Sequence, residues 1–131
     1  MVEALHQLIG TILREHSPEE VPVFDSLGLE LLRTGLKKNS DSDITESTFA
    51  PDLDSGLLML HLLAGTLSMI EIYYSGRRIR EEAKHQKEFQ RLWEECLIKR
   101  GVPPEVARLI PVHYGAELFR IIDRNEQKRD N

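Results

Sequence analysis

Glu82-Ala83-Lys84-His85 is the spacing in this chain nearest to a metal-ligand motif. A glutamate and a histidine three apart on a helix can offer one carboxylate and one imidazole to an iron or manganese ion, and Glu81 lies a turn from His85. A di-metal site needs a second such pair and two more glutamates, and the chain has no second E-x-x-H. The segment is also dense in charge, so it reads as a solvated helix face. Cys96 with His113 or His85 would make a thiol nucleophile and its base. No nucleophile turn surrounds Cys96, and its phase puts it beside Trp93, so a small core thiol is the better reading. His61 sits in an apolar run. It reads as a buried histidine with one hydrogen-bond partner, the alternative being a pH-sensitive contact with Glu71 or another subunit. Lys99 to Pro104 and the helix after it have the outline of a helix-turn-helix. That second helix offers only Glu105 and Arg108 before Pro111, too little to read DNA. These residues imply no catalytic set, no cofactor and no metal.

The element that must position all of them is the run Gly56 to Tyr74, GLLMLHLLAGTLSMIEIYY. Asp54 and Ser55 stand where its N-cap is expected. Its length permits a membrane span, since roughly 20 apolar residues cross a bilayer. Tyr73, Tyr74 and the basic cluster Arg77, Arg78 and Arg80 would suit one interface. Against a span, His61, Thr66, Ser68 and Glu71 lie inside it, and ionisable groups at the bilayer centre cost about 2.5 to 3.5 kcal/mol. On a helical wheel Asp54, His61, Gly65, Ser68 and Ser75 share one narrow stripe with Glu71 at its edge. The other faces are Leu, Met and Ile, so the reading is a central helix, Ser55 to Tyr74, buried by neighbours. Its polar stripe (His61, Ser68, Glu71) then faces a partner, a water or a second subunit.

Composition narrows the classes. The 131 residues make one domain with room for a core. Hydrophobic residues at 40% and charged residues at 30% are ordinary for a soluble protein. Few aromatics and a net charge of −5 argue against nucleic-acid affinity. The charge is uneven: eleven acids and four bases up to Asp54, thirteen bases and ten acids from Ser75 onward. Two solvated faces explain this, and so would two chains that find each other. The single cysteine excludes an intramolecular disulfide and fits a reducing compartment. MVEALHQLIG lacks the basic and long apolar regions of a signal peptide. Cytoplasm is the expected location, the inner membrane the alternative.

In chain order, Val2, Leu5, Leu8, Ile9, Ile12 and Leu13 recur at helical spacing, giving a first helix from Val2 to Glu15. Ser17-Pro18-Glu19-Glu20 is a helix-start signature that Pro22 interrupts. A second helix is expected from Phe24 to Lys38, with Phe24, Leu27, Leu31 and Leu32 inward. Asn39 to Pro51 is acidic and aperiodic, an expected flexible loop. After the central helix no firm stop appears until Gly101. Unbroken, Ser55 to Arg100 would be about 69 Å long, so a bend at Gly76 or a projecting second half is required. Gly101 and Pro103-Pro104 end it. A short helix from Pro104 to Ile110 and a last helix around Leu118 to Ile122 are separated by Pro111, and the tail from Asn125 is expected to fray. No strand pattern appears. The expected fold is all-α, about five helices around the central one.

EEVPVFDSLGLELL, the acidic loop, the apolar helix running into RRIREE, and GVPPEVARLI with a terminal helix together resemble the small effector-associated, adaptor-like helical modules of bacterial conflict (anti-phage defence) systems. The resemblance covers much of the chain as a layout and implies a module that recruits a larger effector through helix contacts. It assigns no residue a role. The expected function is therefore a non-enzymatic interaction module, acting on itself or on a larger protein partner. A single-pass membrane component and a metal-binding or enzymatic bundle are the alternatives. The first, second and last helices are needed around the central run, which leaves Phe89, Leu92, Trp93 and Leu97 as an uncovered stripe. An apolar patch with Trp and Phe is an expected interface, with Arg91 and Glu95 setting its register.

Overall fold

The computed structural model describes residues 1–40, 57–76, 80–81 and 84–129. Among these the fold is all-α and contains no strand. Helices α1 (Val2–His16) and α2 (Val21–Ser40) are joined by a 3-10 turn over Pro18–Glu20. They are followed by α3 (Leu58–Ser75), α4 (Gln86–Lys99) and α5 (Pro104–Arg129). Helix α3 packs against α1, α2 and α4, and α5 packs against α4 and α1. One core unites Leu5, Ile9, Ile12, Leu13, Phe24 and Leu32 with Leu62, Leu63, Met69 and Tyr73, then with Phe89, Trp93, Leu97, Leu118 and Ile122.

Helix α1 is amphipathic, with Leu5, Leu8, Ile9, Ile12 and Leu13 all buried. Helix α2 starts earlier than its apolar period suggested, because Pro22 falls in a first turn where no backbone N–H is required. Phe24 and Leu32 point inward, but Leu27 is 51% exposed, against expectation. Asn39 and Ser40 are helical, and the rest of the stretch to Pro51, with Asp54 and Ser55, lies outside the described residues. The N-terminus of α3 is capped from elsewhere. The buried Glu20 carboxylate accepts from the backbone N–H of Leu58 at 3.0 Å and of Met59 at 2.7 Å. A negative group at that end also complements the helix dipole.

Helices α3 and α4 are separate. Gly76 is extended (φ −165°, ψ 146°), which ends α3, and α4 begins after His85. The bend lets α4 fold back antiparallel on α3 instead of projecting. Trp93 Nε1 donates to Thr66 Oγ1 at 3.2 Å, and His61 Nδ1 donates to the carbonyl of Arg100 at 2.8 Å. Gly65 is where the two backbones meet. A Cβ there would lie 2.7 Å from Leu97 Cδ2 and 2.9 Å from Leu97 Cα. Gly65→Ala gains up to about 1 kcal/mol of helix propensity, but overpacking costs about 1 to 3 kcal/mol. The expected net is a loss, because the nearest backbone atom cannot step aside. Gly65→Leu should enlarge the loss. Urea melts of both variants check this, and an unchanged midpoint in the leucine variant would disprove the close contact.

Helix α4 ends at Gly101, whose φ of +99° suits glycine. The N–H of Gly101 bonds the Ile98 carbonyl, and that of Val102 bonds Leu97 at 2.9 Å. This is a Schellman cap, with the C3 and C″ side chains, Leu97 and Val102, both buried. Two expectations about α5 are corrected. It runs unbroken through Pro111, and it stays helical to Arg129. Proline leaves the Ala107 carbonyl without its helical donor. Ala107 and Ile110 before it, and Leu118 and Ile122 after it, are all fixed in the core, so both halves hold one axis. The C-terminal turns are anchored by Tyr73, which donates to Glu126, and by Asn125, which donates to the Tyr74 hydroxyl. Arg80 pairs with the same Glu126 at 2.8 Å.

Candidate functional site

The residues singled out in the sequence are placed by these helices as follows. Phe89, Trp93 and Leu97 are buried at 2% exposure or less, and Leu92 is half-buried. The expectation that they form an uncovered interface is therefore corrected. Helix α5 is one continuous rod rather than two short pieces, and it reaches far enough to cover the stripe. Phe119 meets Phe89 edge-on at 5.4 Å between centroids. Arg91 and Glu95, the expected register residues, are exposed and pair with each other at 2.6 Å, and Arg91 also pairs with Glu88 at 2.8 Å. They stabilise the outer face of α4 locally.

The polar stripe of α3 faces the C-terminal end of α4. His61 holds the Arg100 carbonyl, and Ser68 Oγ accepts from Arg100 Nε at 2.9 Å. His61, Ser68 and Glu71 are half-buried rather than buried, because the stripe lies at the edge of the α3–α4 contact. Ser68 and Glu71, with Ile72, Cys96 and Lys99, line a cleft of about 540 Å³. Cys96 is nearly enclosed, and burial pushes its thiol up to about 11. A thiol of that kind is protonated at neutral pH, hence a poor nucleophile. His113 lies elsewhere, 3.7 Å from Glu15, so no thiol–imidazole pair forms. Native protein at pH 8 should resist alkylation by iodoacetamide and react at Cys96 once unfolded in urea. The sign of the pH effect follows. The contribution of a raised acid is intact below its unfolded value of about 8.5 and is lost as pH climbs through the folded value near 11. Tyr73, raised by burial and then by its bond to Glu126, acts in the same direction at still higher pH. Mass spectrometry of labelled protein and alkaline melts check both statements.

Glu81 and His85 are exposed, and Glu82 lies outside the described residues. Among the described residues no group of His, Cys, Asp and Glu is arranged to hold a metal ion. The buried polar residues Ser17, Glu20 and Thr66 each make hydrogen bonds that hold the fold.

What the sequence reading missed is the outer face of α5. Leu109 is 45% exposed, Val112 is 59% exposed, and Ala116 is also exposed. Phe119 continues this line, half-buried in a cleft of about 370 Å³. That cleft opens between α5 and the start of α4, floored by Phe89, Gly115 and Ala116 and rimmed by Lys84 and Arg120. The spacing 109, 112, 116, 119 is a helical stripe legible in the sequence. Pro111 falls inside it, and proline is a residue that breaks most helices. A second exposed apolar pair, Val23 and Leu27, lies one turn apart on α2. No family model matches the chain, and comparison with the curated proteins and with the solved structures likewise finds no match.

Proposed function

We propose that this protein is a non-enzymatic helical interaction module, a cytoplasmic adaptor or regulatory subunit that works through helix-face contacts. The observation that carries this reading is where its uncommitted chemistry lies. The buried polar residues Ser17, Glu20 and Thr66 hold helix ends and helix pairs together, whereas uncommitted apolar surface stands on the outside of α2 and α5. Large side chains such as Leu109 and Val112 are kept in water only at a hydrophobic cost, which a partner's surface would remove. The resemblance of the sequence layout to adaptor-like modules of bacterial defence systems points the same way.

The membrane reading has one observation in its favour. By length and composition Leu58–Ser75 is the one helix among the described residues able to cross a bilayer. However, 56% of that window is buried within the chain, and a span would require α1, α2 and α4 to let go of it. One experiment addresses both. A photo-crosslinking residue is placed at position 27 or 109 of the full chain in its host cell. Crosslinks to a defined polypeptide, this chain or another, in the detergent-free fraction are the expected result. Crosslinks only to lipid in the membrane fraction, or none at either position, would overturn the proposal.

A further inference from the structure

Resting on the interaction-module reading, we infer that the cleft between α3 and the end of α4 binds the free C-terminus of a partner polypeptide, one that ends in an apolar residue. Each helix contributes one face to it. Ser68, Glu71, Ile72 and Ser75 recur three and four apart on α3, and Cys96, Lys99 and Arg100 do so at the end of α4. The groove between these faces has a volume of about 540 Å³. Ligand sites commonly enclose about 300 to 1,000 Å³, so it has room for the end of a chain.

The cleft collects charges that do not answer one another. Arg100 is half-buried, and its Nε donates to Ser68 Oγ at 2.9 Å. That neutral partner orients the guanidinium and leaves both Nη groups without a partner among the described residues. Glu71 is half-buried on the same cleft, yet it pairs with neither Arg100 nor Lys99. The helix dipole accounts for cations at the end of α4. It does not account for a half-buried guanidinium held at α3 with its donors unspent. Two cations against one carboxylate leave one positive charge, which calls for a monoanion. The paired Nη donors match the two oxygens of a carboxylate. A phosphate monoester would bring a second negative charge toward Glu71. A chain end supplies what the rest of the cleft requires. The amide N–H beside its carboxylate is a donor for Glu71, and its last side chain covers the apolar wall of Ile72 and Cys96. Capture of a chain through its terminal carboxylate is a recurring mode of peptide recognition.

The test is fluorescence anisotropy on the full chain, with a fluorescein-labelled hexapeptide ending in leucine as the probe. The free carboxylate should bind, and the same peptide closed as its C-terminal amide should bind about tenfold or more weaker. Arg100→Gln should abolish the preference for the free carboxylate. Lys99→Glu, at an exposed position, should weaken the free peptide and leave the urea melt unchanged, so it decides the matter if Arg100→Gln disturbs the fold. Glu71→Ala separates a chain end from a bare anion. It should weaken the peptide, which loses an acceptor for its N–H, whereas a bare anion would gain from the loss of a negative neighbour. No binding of the free peptide, an amide bound equally well, a peptide indifferent to Lys99→Glu, or a gain in Glu71→Ala would each overturn the inference. The crosslinking positions 27 and 109 lie on other helices. Defined crosslinks there, with no peptide binding in the cleft, would refute this site and retain the interaction module.

Discussion

Trp93→Glu is expected to unfold the protein. Trp93 is fully buried, and its indole N–H donates to Thr66, itself fully buried. Removing a large aromatic side chain from a core costs about 3 to 5 kcal/mol. Thr66 would also lose its donor, and a carboxyl group would be left in an apolar site, where burial without a partner costs several kcal/mol more. Domains of this size are stable by only about 5 to 15 kcal/mol in total. The combined loss is comparable with the whole, so near-ultraviolet dichroism should vanish and the urea transition should move to very low denaturant or disappear. Trp93→Phe separates the two contributions. It keeps most of the ring and drops the hydrogen bond, and should cost no more than about 1 to 3 kcal/mol. A Trp93→Glu variant with a normal melt would mean that this face of α4 is open to solvent, and the packing of α5 across it would be wrong.

Glu20→Ala is the second large effect. The Glu20 carboxylate joins two parts of the chain 38 residues apart, the turn after α1 and the first turn of α3. Ser17 Oγ lies 2.5 Å from one of its oxygens and 2.9 Å from the Glu19 carboxylate. A hydroxyl has one proton to give, and the shorter contact is the one it serves. Hydrogen bonds to a charged group contribute about 1.5 to 3 kcal/mol each. The N–H of Met59 would be left buried without a partner. A loss of about 3 kcal/mol is expected, more than an ordinary helix cap contributes. Glu20→Gln should lose roughly half of that, since the amide keeps one accepting oxygen and turns a donor toward the other N–H. Ser17→Ala should cost about 1 kcal/mol. Denaturant titrations of the three variants give the ranking, and amide exchange at Leu58 and Met59 locates the damage. If exchange there is unchanged in Glu20→Ala, the carboxylate is not the cap.

These two positions show what could be read from the chain alone and what could not. The all-α class followed from periodicity. Val2 to Leu13 repeat every three to four residues, Gly56 to Tyr74 is apolar on nearly every side, and Gly101 with two prolines ends a helix. These are local signals, carried by residues a turn apart, and local physics suffices to read them. The Ser17 to Glu20 signature was legible too, but only as the start of the next helix. That its glutamate reaches across to cap α3 depends on two segments meeting in space, which no spacing records. The same holds for Phe89, Trp93 and Leu97. Their stripe was plain, whereas its burial rested on whether α5 was long enough to cover it. That rested in turn on Pro111, a residue that breaks most helices. Here core contacts before and after it, from Ala107 to Ile122, outweigh the missing hydrogen bond. A proline's local cost is visible in sequence, and the packing that overrides it is a property of the assembled core. So the sequence alone determined the class and the helix-forming stripes, while the tertiary structure alone decided which stripe is core and which remains outside.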